Sequence, residues 1–482
     1  MKVELVLPAM PSWKVGDGSS VPPLGLLYIA GVLNEAGHEV DVTDQQGENL
    51  SDEGLKKKIK KFDPDVVGYT TYSHFGRRAI KIADSLQKLN PNISTIFGGF
   101  FATFNPTEIL GISSAVDYCV RGEGEVTALE LINALEKNQD VSKILGINYK
   151  ENGIIKSTPD RPLIEDIDTL PIPDRTLVKG NTYGGYANMQ IDKFSSVGTS
   201  RGCPFKCTFC LTTHWNRNRW RKRDFRKVAD EFEYLTHLGY QNILIVDDNF
   251  NVNPKHVIHV SQELRRRKLD VNWFCEGRVS SGSAQMYNEM RRGGCKLVYL
   301  GLESGNQRIL DYFNKRATVE QAFSAVKAIR KANIDMITGS FIVGAPTETI
   351  QEVQNTIDFA LKLDIDVPLF GVLNVFKGTM LWDEYLDKGY INTEEDWGKA
   401  IPVCDFHPDC LSRDLLVKII NRGYDKLISR KKWYLKVILR ALKSRFRLKL
   451  MMKNIDKRHD IRKRFRFGDI SQLDLYLEED EN

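Results

Sequence analysis

Three cysteines, Cys203, Cys207 and Cys210, sit within eight positions in the stretch Thr199-Ser200-Arg201-Gly202-Cys203-Pro204-Phe205-Lys206-Cys207-Thr208-Phe209-Cys210. Thiolates at this Cys-x3-Cys-x2-Cys spacing on one loop can each reach a different iron of a [4Fe-4S] cube. A cube takes four ligands, so three from the protein leave one iron open to a substrate or cofactor, much as catalytic zinc keeps one position unfilled. The competing reading is a zinc site. Zinc sites pair two short-spaced clusters, and no second cluster follows here, although His214 could complete a site. The spacing favours iron–sulfur chemistry. The remaining cysteines, Cys119, Cys275, Cys295, Cys404 and Cys410, read mostly as thiols packed like small hydrophobes. The Asp405-Phe406-His407-Pro408-Asp409 run between the last two suggests a structural loop.

Such a loop must be carried by larger elements. Across residues 1–137, β-rich runs at 3–7, 39–43, 65–71, 94–97 and 117–120 alternate with helical patterns at 26–36, 53–62, 77–89 and 126–136. That alternation predicts parallel pairing in a doubly wound, flavodoxin-like α/β domain, whose ligands sit outside the carboxyl ends of the strands. The segments at those ends are Thr70-Thr71-Tyr72-Ser73, Gly98-Gly99 and Arg121-Gly122-Glu123-Gly124-Glu125, with Asp44 after the second strand. Residues 138–190 carry Pro159, Pro162, Pro171 and Pro173 and read as a linker with room for one hairpin. From 191 to 400, strands near 195–199, 242–246, 272–276, 297–301, 338–343 and 370–375 predict a partial (β/α)6 TIM barrel. The cysteine loop follows the first of them, on the face where such barrels do chemistry.

Of the 482 residues 42% are hydrophobic and 27% charged, as in a globular protein, and no apolar run approaches the ~18 residues of a membrane span. Sparse cysteines and a first strand in place of a secretion signal point to the cytoplasm. The net charge of +5 is unevenly placed: from Lys426 to Arg466 there are seventeen Lys/Arg against two Asp, before an acidic end at Glu478-Glu479-Asp480-Glu481. Residues 401–482 therefore read as a helical basic extension. Within it Leu435, Ile438, Leu439, Leu442, Phe446 and Leu450 recur at helical spacing.

The cysteine segment resembles the radical S-adenosylmethionine (SAM) superfamily. Further matches follow in order: Val246-Asp247-Asp248-Asn249-Phe250, Cys275-Glu276-Gly277-Arg278, Gly301-Leu302-Glu303-Ser304-Gly305, Gly344-Ala345-Pro346-Thr347-Glu348-Thr349 and Gly378-Thr379. The resemblance implies that SAM chelates the open iron, that Phe209 packs near the adenine, and that Glu303 contacts the ribose or amino group. It also implies that Arg278 meets the SAM carboxylate, that Gly344 lets the backbone approach, and that Asp248 lies in the SAM site. Two plainer readings stand beside these: Glu303 and Arg278 as an ion pair at the barrel mouth, and Asp247 or Asp248 as a substrate contact or helix cap.

Residues Pro22-Pro23-Leu24-Gly25-Leu26-Leu27-Tyr28-Ile29-Ala30, Gly98-Gly99 with Pro106-Thr107-Glu108, and Val120-Arg121-Gly122-Glu123-Gly124-Glu125 resemble the cobalamin-binding domain that precedes many radical SAM enzymes. The resemblance implies a cobalamin site drawn from Asp44, Tyr72, Ser73, Gly98, Gly99, Gly122 and Glu123. Two departures stand out. Asp44-Gln45-Gln46-Gly47 lacks the histidine of the Asp-x-His-x-x-Gly motif, and Phe100-Phe101 replaces the Pro-His pair common after the glycines.

Together the resemblances, which cover the chain to about residue 400, imply reductive cleavage of SAM to a 5′-deoxyadenosyl radical and cobalamin-dependent C-methylation of an unactivated carbon. Oxidation, cyclisation or carbon–carbon coupling with a vestigial cobalamin domain is the alternative. A non-catalytic cobalamin or iron–sulfur sensor would not need the SAM-site motifs. The expected partners are a low-potential electron donor of flavodoxin or ferredoxin type and a small-molecule or lipid substrate. The basic amphipathic tail adds peripheral contact with the anionic inner face of a membrane, or else a helix docked on the barrel with a solvated cationic face. Nucleic acid is not expected, since no stacking platform or recognisable binding fold accompanies the charge.

Overall fold

The computed structural model describes residues 1–10, 21–73, 75–178, 180, 183–186 and 189–453, without the side chains of Lys432 and Tyr434. The tail beyond 453, including the acidic run at 478–481, lies outside the described residues. The chain divides into two compact units, Met1–Tyr183 with Phe376–Gly378 and Ile391–Ala400, and Gly184–Val375 with Thr379–Tyr390 and Ile401–Asn482.

The first unit is built on strands β1 (Lys2–Leu7), β2 (Glu39–Asp44), β3 (Val66–Thr70), β4 (Ser94–Gly98), β5 (Tyr118–Val120), β6 (Ile147–Glu151) and β7 (Ile154–Ser157). Their order is β2-β1-β3-β4-β5-β6-β7. The first five strands pair in parallel, while β5, β6 and β7 are antiparallel neighbours. Parallel strands are buried on both faces, and β1 shows it: Val3 and Leu5 enter one core and Val6 the other. The hairpin allowed for in the linker is β6–β7, which extends this sheet. Residues from much later in the chain also join the unit. Trp397 stacks on Phe101 at 6.0 Å, and the Arg77 guanidinium lies 4.9 Å from its ring.

The second unit holds β8 (Phe194–Val197), β9 (Asn242–Ile245), β10 (Asn272–Arg278), β11 (Cys295–Glu303), β12 (Met336–Val343) and β13 (Val367–Val372), six parallel strands in sequential order. Intervening helices start where their sequences cap them, as at the Thr318/Gln321 and Thr349/Glu352 capping boxes.

The basic extension forms helices Arg413–Ile428, Lys431–Leu442 and Arg445–Lys453. It is docked, but with the opposite face inward from the one expected. Lys436 and Arg440 pair with Asp364, and Arg440 and Arg447 with Asp366, while Leu435, Ile438, Leu439 and Leu442 are 57%, 47%, 48% and 68% exposed. The cause is Asp366, a buried carboxylate that needs counter-charges. Among the described residues no helix is long and apolar enough to cross a membrane.

Candidate functional site

The cysteine loop leaves β8 and is held by the two aspartates after β9. Asp247 is buried; its carboxylate accepts from Thr199 N (2.6 Å), Thr199 Oγ1 (2.6 Å) and Ser200 Oγ (2.6 Å). Burial pushes its pKa up to about 6 against the pull of those donors. Asp248 accepts from Gly202 N (2.8 Å) and Asn216 Nδ2 (3.2 Å). Neither caps a helix: both fix the loop. Gly202 has φ +88°, and a Cβ there would meet Arg219 O at 1.9 Å, so the turn into Cys203 admits only glycine.

All three cysteines of the loop are free thiols. Cys203 Sγ lies 3.8 Å from Asn249 Nδ2, Cys207 Sγ 3.2 Å from Arg278 Nη1, and Cys210 Sγ 3.1 Å from Thr212 Oγ1. Among the described residues no group of three or more His, Cys, Asp or Glu is placed to hold a metal ion. Thiolates on a cube each take a different iron, so the donor set of three free thiols on one turn, Cys203 and Cys207 buried and Cys210 half-buried, suits the cluster. Phe209, before the third cysteine, meets Phe313 edge-on at 5.2 Å.

Arg278, at the carboxyl end of β10, stacks its guanidinium 3.9 Å over Phe205. Its Nε and Nη2 are buried without a hydrogen-bond partner. Such orphaned donors are costly, and a carboxylate is the group their fork geometry fits, as the SAM reading requires. The alternative reading of a Glu303–Arg278 ion pair is not met. Glu303 pairs instead with Lys315 (2.5 Å), both buried, at a register slip of β11 where its own φ is +60°. The sequence motif gave no hint of Lys315, twelve residues on.

Gly344, after β12, has φ +89°, and its N–H donates to Glu348 Oε2 at 2.7 Å. Ala345 N donates to the same oxygen, Oε1 has no partner, and burial pushes the Glu348 pKa up to about 7. Arg278, Glu303 and Gly344 thus all fall at strand ends on the face that carries the cysteine loop.

In the first unit the observed strand order puts the topological switch point between β1 and β3, where doubly wound sheets take their ligand. Tyr72, 42% exposed, follows β3 and packs against Phe75 (5.5 Å) and Phe100 (5.8 Å), with half-buried Ser73 beside it. Gly99 has φ +90°, and a Cβ would lie 2.6 Å from Thr71 O; Gly98 is open, its nearest neighbour 4.0 Å away. Gly122 also faces open space, with its N–H donating to Thr103 Oγ1. An exposed aromatic shelf beside unfilled glycines suits a large, mainly apolar cofactor such as a corrin. Asp44 is fully buried at the end of edge strand β2 and accepts from Gly47 N, and Glu123 is buried and accepts from Ile164 N at 2.7 Å.

Comparison with known proteins finds a match in each part of the chain. Residues 197–360 match the model of the radical SAM superfamily, and residues 17–132 that of the B12 binding domain. An uncharacterised methyltransferase of Pyrococcus horikoshii is 38% identical over 83% of this chain and 86% of its own length. Anaerobic magnesium-protoporphyrin IX monomethyl ester cyclase of Rubrivivax gelatinosus is 28% identical over 89% of this chain and 78% of its own. Among solved structures, the radical SAM methyltransferase TsrM of Kitasatospora setae, with cobalamin and a [4Fe-4S] cluster bound, superposes with TM-score 0.66 at 20% identity, covering 80% of this chain and 75% of that one.

Proposed function

The chain belongs to the radical SAM superfamily, with a B12-binding domain ahead of its barrel, and from that premise we propose that it is a cobalamin-dependent radical C-methyltransferase. The observation that carries this reading is the occurrence of two sites in one chain: free Cys203, Cys207 and Cys210 on one loop, with Arg278 against Cys207, and the aromatic shelf at the β1/β3 switch point. When bound, the cluster supplies the electron that cleaves SAM to methionine and a 5′-deoxyadenosyl radical, and cobalamin supplies the methyl group. The residues do the rest. Cys203, Cys207 and Cys210 hold the cluster, Arg278 receives the SAM carboxylate on its orphaned donors, and Phe209 lies against the adenine. Glu303, oriented by Lys315, accepts from the ribose or amino group; Asp248 and Gly344 shape the surrounding loops.

As a radical SAM enzyme it draws electrons from a reductant and acts on a small molecule. We assign the reductant to the flavodoxin or ferredoxin class. Anaerobic reconstitution with iron and sulfide tests the whole: the loaded protein should bind cobalamin, seen in corrin absorbance, and release 5′-deoxyadenosine from SAM under dithionite. SAM cleavage without any corrin binding would instead select oxidation or cyclisation, the reading favoured by the cyclase relative.

Glu303→Gln should weaken SAM binding about tenfold while leaving iron content intact, since charged acceptors outdo neutral ones by roughly this much. Isothermal titration on the reconstituted variant reads it; unchanged affinity would return Glu303 to a purely structural pair with Lys315.

The exposed stripe Leu435, Ile438, Leu439 and Leu442, with Lys431, Lys443 and Arg445 exposed around it, supports a peripheral membrane contact at the inner face. In flotation assays the protein should rise with anionic vesicles, and serine at those four positions should abolish it. They are already in solvent, so the fold does not depend on them. Equal flotation of both proteins would remove the membrane from the account.

A further inference from the structure

Halfway along the barrel strands lies a carboxylate that nothing above uses. On β10, Trp273 and Cys275 enter the core beneath the helices, so Phe274, Glu276 and Arg278 face the other way. Glu276 is in register with Tyr299 on β11, and Tyr299 with Thr338 on β12. The three form one polar layer across adjacent strands. Glu276 and Tyr299 are half-buried, while Thr338 is fully buried with a hydroxyl that has no partner. Tyr186, from the short hairpin Gly185–Tyr186 and Met189–Gln190, donates its hydroxyl to Glu276 Oε1 at 3.2 Å. Its ring lies 6.2 Å from Phe194, 6.3 Å from Phe274 and 6.4 Å from Tyr299. The carboxylate therefore stands on an aromatic floor.

Charge makes this layer a site. Among the described residues no cation pairs with Glu276, and burial pushes its pKa up. Arg278, two residues on along the same face, lies against Phe205 and Cys207 and makes no ion pair with Glu276. Enclosed carboxylates are ordinarily paired; Glu276 has the Tyr186 hydroxyl and, among the described residues, no cation, which leaves room for a counter-charge from outside the chain. With about 3.3 Å of rise per residue, the position lies roughly 7 Å below Arg278 along the strand, close enough for a molecule seated on it to reach toward the SAM level.

We propose that Glu276, with Tyr186 and Tyr299, anchors the substrate, and that this substrate presents an ammonium group on an apolar or aromatic body resting on the half-buried rings of Tyr186 and Tyr299. Only the placement beneath SAM rests on the radical reading; recognition of an ammonium does not.

The test uses the full-length reconstituted protein with phenethylammonium as probe and 3-phenylpropionate as its anionic counterpart, followed by saturation-transfer NMR. The wild type should bind the amine in preference to the acid. Glu276→Gln, which keeps the shape, should weaken amine binding about tenfold or more, the loss expected of a charged hydrogen bond, and Glu276→Asp should restore part of it. Equal binding of amine and acid, or an unchanged amine affinity in Glu276→Gln, overturns the proposal. So does a parallel loss of SAM affinity in Glu276→Gln, which would make Glu276 a cofactor contact. A chain that binds the amine through Glu276 yet never assembles a cluster supports this proposal while sinking the radical one.

Discussion

Alanine at Cys203, Cys207 and Cys210 together will bring cluster absorbance, iron content and 5′-deoxyadenosine release to background while the rest of the chain stays folded. On the proposed reading each thiolate holds a different iron, so no remaining side chain can substitute for all three. The loop itself does not depend on them. Its path is set by Asp247 on Thr199 and Ser200, by Asp248 on Gly202, and by the left-handed turn at Gly202. The first unit carries its own two cores. Far-UV circular dichroism and corrin binding should therefore match the wild type. A triple variant that still cleaved SAM under dithionite would overturn the assignment of the cluster.

The features that follow from local spacing were legible in the sequence. Cys-x3-Cys-x2-Cys needs no tertiary information, and the β/α alternation placed all six barrel strands, because a parallel strand must be apolar on both faces and so reads as a continuous run. What escaped depended on partners distant in sequence. Lys315 reaches Glu303 only because β11 slips register at that point. Arg278 stacks on Phe205, seventy-three positions upstream, rather than pairing with Glu303. Asp247 and Asp248 read as cap or ligand because aspartate does either, and the loop that claims them lies some forty-six residues earlier. Glu276 is unremarkable in its motif, and its hydroxyl donor Tyr186 comes from a segment read as linker.

Which face of the tail docks was not legible for a related reason: helical spacing identifies two faces but not which one has a partner. Asp366 decides it. Its Oδ1 accepts from Arg447 Nη1 (3.0 Å) and its Oδ2 from Arg447 Nη2 (3.1 Å), Arg330 Nη2 (2.7 Å) and Ile337 N (2.9 Å). Burial alone would push this carboxyl's pKa up, but Arg330 and Arg447 outweigh it and hold it below the ordinary aspartate value. A depressed pKa contributes stability above the unfolded value, near 4, that is lost only as pH falls through the folded one. The helices Lys431–Leu442 and Arg445–Lys453 should therefore stay docked from neutral pH down to about 4.

Asp366→Asn removes the charge but keeps the acceptor for Ile337, leaving Arg447 buried and unpaired at a cost of about 3–5 kcal/mol. Limited trypsin digestion should then cut within residues 430–453, which the wild type protects at Arg447. High salt should not mimic the effect, because the pair is shielded from solvent ions. Flotation with anionic vesicles should fall as well, since the same ion pairs turn Leu435, Ile438, Leu439 and Leu442 outward. A variant digested no faster than the wild type would show that apolar contacts such as Phe446 on Phe274, at 5.8 Å, hold the extension without Asp366.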